Sequence, residues 1–200
     1  MKLLSLLMIL FCLLSRASFA QSSVTLIPHP LPMSRSFLLA EFGYDFRVNS
    51  FAEDTFRLKR RHYFTSELGL MVNLDSNYAF GVSHFIGIDN GGESRGGFKF
   101  AIRRWLSEKS SIDFSPGFLY WDTRATTKGY AFVNSIDINI RDWFALTTQL
   151  EFAPTRFEGG TDRAYYFGLK TGSYPGLILN GAAATTAVIV GILFLSTGAD

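Results

Sequence analysis

Cysteine is nearly missing from this 200-residue chain, and its one thiol, Cys12, falls within the first twenty residues. If that segment is removed on export, disulfides, thiolate metal centres and cysteine nucleophiles are all excluded. Charge is sparse too, at 18% of residues with a formal net of +2. No basic stripe interleaved with stacking aromatics runs through the chain, which argues against nucleic acid as a partner. Asn90-Gly91-Gly92 and Gly159-Gly160 are not followed by a strand-to-helix junction, so they read as turns and not as phosphate cradles. His29 stands among Pro28, Pro30 and Pro32 with no ligand partner at metal spacing. Neither a metal nor a cofactor is expected.

Long apolar runs occur only at the two ends. Lys2 precedes an apolar stretch from Leu3 to Leu14, and Ser18-Phe19-Ala20 supplies small residues at a cleavage point, so residues 1–20 read as a secretory signal peptide. Phe11 stands where a lipoprotein signal needs a small residue, which argues against lipidation at Cys12. Residues 21–35 then form a Pro-rich periplasmic leader. At the other end, residues 173–200 form a hydrophobic tail in which 176–196 carry no charge. About 20 such residues make a transmembrane helix candidate. The tail follows the last strand too closely to sit in a different membrane from it. It lies against the barrel, or tethers a periplasmic barrel to the inner membrane, or packs as extra strands or a terminal helix. Gly181 and Ala182 to Ala184 suggest close packing on a barrel wall.

What is abundant is aromatic and alternating. Twenty phenylalanines and eight tyrosines need a large core or a lipid neighbour. Between Phe37 and Gly172, bulky apolar residues alternate with polar or small ones, as in Ser135-Ile136-Asp137-Ile138-Asn139-Ile140-Arg141. A period of two means strands with unlike faces. Eight strands are expected, near residues 36–46, 62–74, 78–88, 96–106, 111–121, 129–140, 143–153 and 163–172. Most approach the about 9 to 11 residues that a tilted strand needs to cross a bilayer. Pro116 falls inside the fifth, where a bulge is expected because proline donates no hydrogen bond.

One face of these strands is hydrocarbon, including Phe42, Phe64, Leu68, Phe80, Phe98, Phe100, Ile102, Phe114, Ile136, Leu146 and Phe167. The other carries Glu41, Asp45, Glu67, Lys99, Arg103, Asp113, Asp137, Glu151 and Lys170, interspersed with Gly43, Gly69, Gly81, Gly97, Gly117 and Gly168. An eight-stranded barrel is only just wide enough inside for side chains, so long charged residues there need glycines beside them. On a solvated exterior the same glycines would only weaken strands. The charges therefore read as a paired network in a narrow lumen, too crowded for an open pore. The opposite arrangement, apolar inside and charged outside, would be a soluble lipid-binding barrel.

Short and long connections alternate, as in outer-membrane barrels with brief periplasmic turns and longer outside loops. Tyr44, Tyr78, Tyr120, Tyr130 and Tyr165 share the apolar parity near strand ends, where an interfacial girdle would lie. In strand number, parity and loop asymmetry, residues 36–172 resemble the small eight-stranded outer-membrane barrels of the OmpA and OmpX type. The resemblance implies an all-β, antiparallel up-and-down transmembrane barrel in a Gram-negative cell envelope.

Two constellations bear on activity. Ser66 and His84 both interrupt the hydrocarbon face; a turn centred on Ser76 sets Ser66 opposite Ile86 and makes His84 its diagonal neighbour. A lipid-facing Ser and His is similar to the lipid A deacylases of the PagL family, where the pair lies two apart on one strand and a Glu orients the His. Here Ile86 occupies that place and no carboxylate shares the parity. Arg57, Lys59, Arg60 and Arg61, with His62, stand where the first long loop enters the second strand and would meet lipopolysaccharide phosphates outside the cell. The leading expectation is a non-enzymatic outer-membrane barrel with a structural or surface-interaction role, in contact with membrane lipid and lipopolysaccharide. The alternatives are a lipid A hydrolase using Ser66 and His84, and a periplasmic lipid-binding barrel tethered by its tail.

Overall fold

The computed structural model describes residues 24–48, 62–89, 94–122, 131–141, 143–154 and 161–197; for 121–122, 153–154, 161–162 and 187–197 it describes the backbone alone. The signal segment 1–20 and Tyr130 lie outside the described residues. Eight strands follow in order: β1 (Ser36–Arg47), β2 (His62–Asn73), β3 (Tyr78–Asp89), β4 (Ser94–Ser107), β5 (Ser110–Asp122), β6 (Ala131–Ile140), β7 (Phe144–Pro154) and β8 (Thr161–Thr171). Each pairs antiparallel with its neighbour in sequence, and β8 pairs with β1, so the sheet closes on itself. Closure leaves no free sheet edge along the paired lengths.

The alternation fixes the two faces, because a one-residue slip would send every side chain to the wrong side. Outward positions carry Phe64, Phe80, Phe100, Ile102, Phe114, Ile136 and Phe167, all exposed, while inward Lys99 and Arg103 are each only 2% exposed. The interior is therefore ionic and not hydrocarbon, which rules out the soluble lipid-binding arrangement for this fold. The lumen is nevertheless not purely charged or small. Phe37, Leu39, Met71, Ala79, Ala101 and Trp105 form an apolar floor at the end with the short turns. Phe85, Leu119, Ala131 and Val133, and separately Tyr63, Ala164 and Tyr166, cluster towards the other end.

Pro116 does not bulge the sheet. The register against β4 is unchanged on either side of it, from Lys99↔Gly117 to Ile102↔Phe114, and the irregularities fall at Gly96/Gly97 and Trp105/Ser107. Its missing donor faces β4 at the stretch where no residue pairs bridge the two strands.

β8 covers only half of β1, from Phe42 to Arg47. The open half, Ser36 to Glu41, is closed by the chain on either side of the barrel. From the leader, Thr25 receives the Leu38 N–H at 2.9 Å and donates its own N–H to Ser36 O at 3.1 Å. From the tail comes a helix, α1 (Ser173–Thr197), entered through Ser173 at φ 51°. Gly176 packs so closely on the Ala40 carbonyl that any side chain there would collide, and Asn180 Nδ2 donates to Glu41 O at 3.1 Å. The tail thus begins against the wall of β1. The residues expected to pack there do not: Gly181 has nothing near it, and Ala182 to Ala184 are exposed. Among the described residues no helix is long and apolar enough to cross a membrane, which says nothing of crossing by strands.

Candidate functional site: charged lumen and apolar wall

The lumen charges are held by strands whose inward positions fall at matching heights. Lys170 on β8 reaches three carboxylates, Asp137 at 2.9 Å, Glu41 at 3.0 Å and Glu67 at 3.5 Å. Lys99 on β4 meets Glu67 at 2.9 Å, and Ser83 donates to the other oxygen of Glu67. Arg103 grips Asp113 in a two-pronged contact at 2.6 and 2.8 Å. Each ion is buried, so it persists only because a counter-charge and hydrogen bonds replace water. Asp45 accepts from Thr65 Oγ1 at 3.4 Å and folds across Gly168, whose lack of a side chain leaves room for its carboxylate.

Sequence reasoning missed a fourth buried cation. Arg95 was placed in a linker, but β4 begins at Ser94, and Arg95 points inward to pair with Glu151, which also accepts from Gln149 at 2.8 Å. Its guanidinium lies 3.9 Å from the ring centre of Tyr63 and 5.0 Å from that of Tyr166. Arg95 shares the parity of Gly97, Lys99 and Arg103, so the signal was present in the alternation itself.

Asn73 was also missed. It donates to the backbone oxygens of His29 at 2.7 Å and Ser34 at 2.6 Å, and accepts from Trp105 Nε1 at 2.8 Å. The leader is thereby pinned across the turn end of the barrel, over the apolar floor. Beside it, at the half-covered edge of β1, Glu41, Arg103, Asn139 and Ser173 line a cavity with space for about one water molecule.

On the outer wall Ser66 faces Ile86 across the ladder, and His84 faces Leu68. His84 is thus the diagonal neighbour of Ser66, as the turn at Ser76 implied. Its bond goes elsewhere: His84 Nε2 and Tyr120 OH are 2.8 Å apart, with Phe98 edge-on to the imidazole. No carboxylate orients it among its described contacts. A parallel pairing joins His62 Nδ1 to Tyr44 OH at 2.7 Å, the two rings stacked. Both are amphipathic pairs on an apolar surface, suited to the boundary between hydrocarbon and headgroups. Tyr44, Tyr78, Tyr120 and Tyr165 are all exposed. Arg57, Lys59, Arg60 and Arg61 lie outside the described residues. Among the described residues no group of three or more His, Cys, Asp or Glu side chains is arranged to hold a metal ion.

No protein-family model matches the chain, and no curated protein matches it. Among solved structures it is similar to a de novo designed transmembrane β-barrel, at 10% identity over 68% of this chain and 93% of that one, with a TM-score of 0.37. It is also similar to the Yersinia pestis outer membrane protein Ail in a phospholipid bilayer nanodisc, at 8% identity over 70% of this chain and 99% of that one, again with a TM-score of 0.37. At such identity and overlap neither neighbour carries a role to this chain, whose case rests on its own geometry.

Proposed function

We propose that the protein is an integral outer-membrane β-barrel with a structural or surface-interaction role, its short turns on the periplasmic side and its longer connections outside. One observation carries this reading: the polarity of the cylinder is reversed, with ion pairs at the centre and exposed Phe, Ile and Leu around the whole circumference. Soluble monomers rarely expose apolar patches beyond a few hundred Å². A closed ladder with a hydrocarbon exterior is what a bilayer demands of a strand-built protein.

Residues 1–20 serve on this reading as an export signal, and the first residue of the mature chain is Gln21. Arg57, Lys59, Arg60 and Arg61 would then face lipopolysaccharide, where guanidinium groups bind phosphate through paired hydrogen bonds. The test is cell fractionation combined with gel migration of boiled and unboiled samples. The expected result is a heat-modifiable band in the outer membrane, with an N-terminus at Gln21. Recovery only as soluble periplasmic protein overturns the proposal.

A further inference from the structure

Arg104 stands out from the wall that surrounds it. Among the described residues, outward-facing strand positions carry two formal charges: Arg163 at the loop end and Arg104 near the turn end. Along β4, Arg104 lies between exposed Ile102 and Leu106; across the sheet it lies between exposed Tyr78 on β3 and Ile112 on β5. No ion pair or hydrogen bond engages its guanidinium among the described residues. This is the reverse of the lumen, where Arg95, Lys99, Arg103 and Lys170 all meet carboxylates.

A charge in hydrocarbon surroundings is costly unless its long stem lets the head reach a polar layer. Beyond the turn end of β4 the described surface carries both signs, the cations Lys109 and Arg141 and the exposed carboxylates Glu108 and Asp75. Lys109 and Arg141, in neighbouring turns, are both exposed, and the Arg141 N–H is held by Lys109 O at 2.6 Å. Tyr78 adds a phenol at the same height as Arg104, and Trp143 an exposed indole in the turn beside Arg141.

From this placement, which rests on the reading that the apolar wall faces lipid, we infer that Arg104, with Lys109 and Arg141, forms a docking site for the headgroup phosphate of an anionic phospholipid in the periplasmic leaflet. The acyl chains would lie along Ile102, Phe80 and Phe114, while the guanidinium, anchored beside the Tyr78 phenol, takes the phosphate in a bidentate contact. Lys109 and Arg141 add attraction from the aqueous side. A basic residue near a membrane surface is worth about one factor of five in binding anionic lipid.

The experiment uses the full chain, refolded into bilayer nanodiscs made of mixed phosphatidylglycerol and phosphatidylcholine, then extracted and scored for retained lipid by native mass spectrometry. The wild-type barrel should hold phosphatidylglycerol in preference to phosphatidylcholine. Arg104→Gln should reduce that preference about fivefold, Arg104→Lys should fall between the two because it keeps the charge and loses the paired contact, and excess inorganic phosphate should not displace the lipid. Equal retention of the two lipids by the wild type overturns the inference, as does an Arg104→Gln variant that retains phosphatidylglycerol undiminished. Displacement by inorganic phosphate also overturns it, because the site would then recognise an anion and not a lipid. Gel migration of unboiled sample verifies that each variant is folded. If the wild-type barrel does not insert into the bilayer at all, the membrane reading itself fails, an outcome distinct from insertion without lipid selectivity.

Discussion

Replacing Lys170 with methionine should be among the most damaging single changes in the lumen. Met preserves the length and most of the volume of the side chain, so packing is nearly conserved and the charge alone is lost. The Lys170 ammonium lies 2.9 Å from Asp137, 3.0 Å from Glu41 and 3.5 Å from Glu67. Without it, Glu67 still has Lys99 at 2.9 Å, whereas Glu41 and Asp137 keep no cation in contact among the described residues. Breaking a buried ion pair from one side costs about 3–5 kcal/mol, because the remaining charge is stranded away from water. Lys99→Met should cost less, since Glu67 retains Lys170. The assay is urea unfolding of the refolded barrel in lipid vesicles, followed by tryptophan emission and by gel migration. Adding Glu41→Gln and Asp137→Asn to Lys170→Met should recover much of the lost stability, because the stranded charges go with the cation. A cost below about 1 kcal/mol for Lys170→Met, or a larger cost for Lys99→Met, would refute the claim that these ions are packed and dry.

Four further outcomes test other parts of the structure. Gly168→Val places a side chain against the Asp45 carboxylate and the Tyr44 carbonyl and should destabilise the barrel by at least about 1–3 kcal/mol in the same unfolding assay; a neutral result would mean the lumen has slack. Phe100→Arg, on the outer wall midway along β4, should cost about 2–4 kcal/mol in vesicles, whereas a wall facing water would tolerate it. Asn73→Ala removes the bonds to His29 O, Ser34 O and Trp105, so limited proteolysis should cut the leader faster while the strands survive; unchanged cleavage would show that the leader is held by something else. Ser66→Ala should leave the lipid A acylation pattern of cells unchanged by mass spectrometry, because His84 is hydrogen-bonded to Tyr120; a changed pattern would revive the hydrolase.

The barrel was legible in the sequence because its one strong constraint, the difference between two faces, repeats at period two in every strand. The register between the second and third strands could even be read from Asp75-Ser76-Asn77: a hairpin so short admits few pairings, and Ser66 does face Ile86. The ion network followed from the same parity, since Glu41, Glu67, Asp137 and Lys170 lie on the small-residue face and have nowhere to go but inward. Which acid meets which base was not legible. That depends on side chains reaching across the lumen between strands that are not neighbours, such as Lys170 on β8 and Glu67 on β2, and no local pattern records such distances.

The parts that were misread have separate local causes. Arg95 falls one residue outside the strand expected at 96–106, whereas β4 begins at Ser94 and passes an irregularity of the β4–β5 ladder at Gly96/Gly97. Pro116 suggested a bulge, but the strand keeps its register on either side of it. The tail suggested packing through Gly181 and its alanines, while the contact with β1 is made one turn earlier, through Gly176 and Asn180. That contact exists because β8 ends at Thr171 and leaves the first half of β1 without a strand. If the wall faces lipid, as proposed, such an edge cannot stay bare, since its carbonyls and amides would face hydrocarbon unpaired. The leader and the helix cover it from either side, so the two segments least like barrel strands in sequence are the ones that complete the closure.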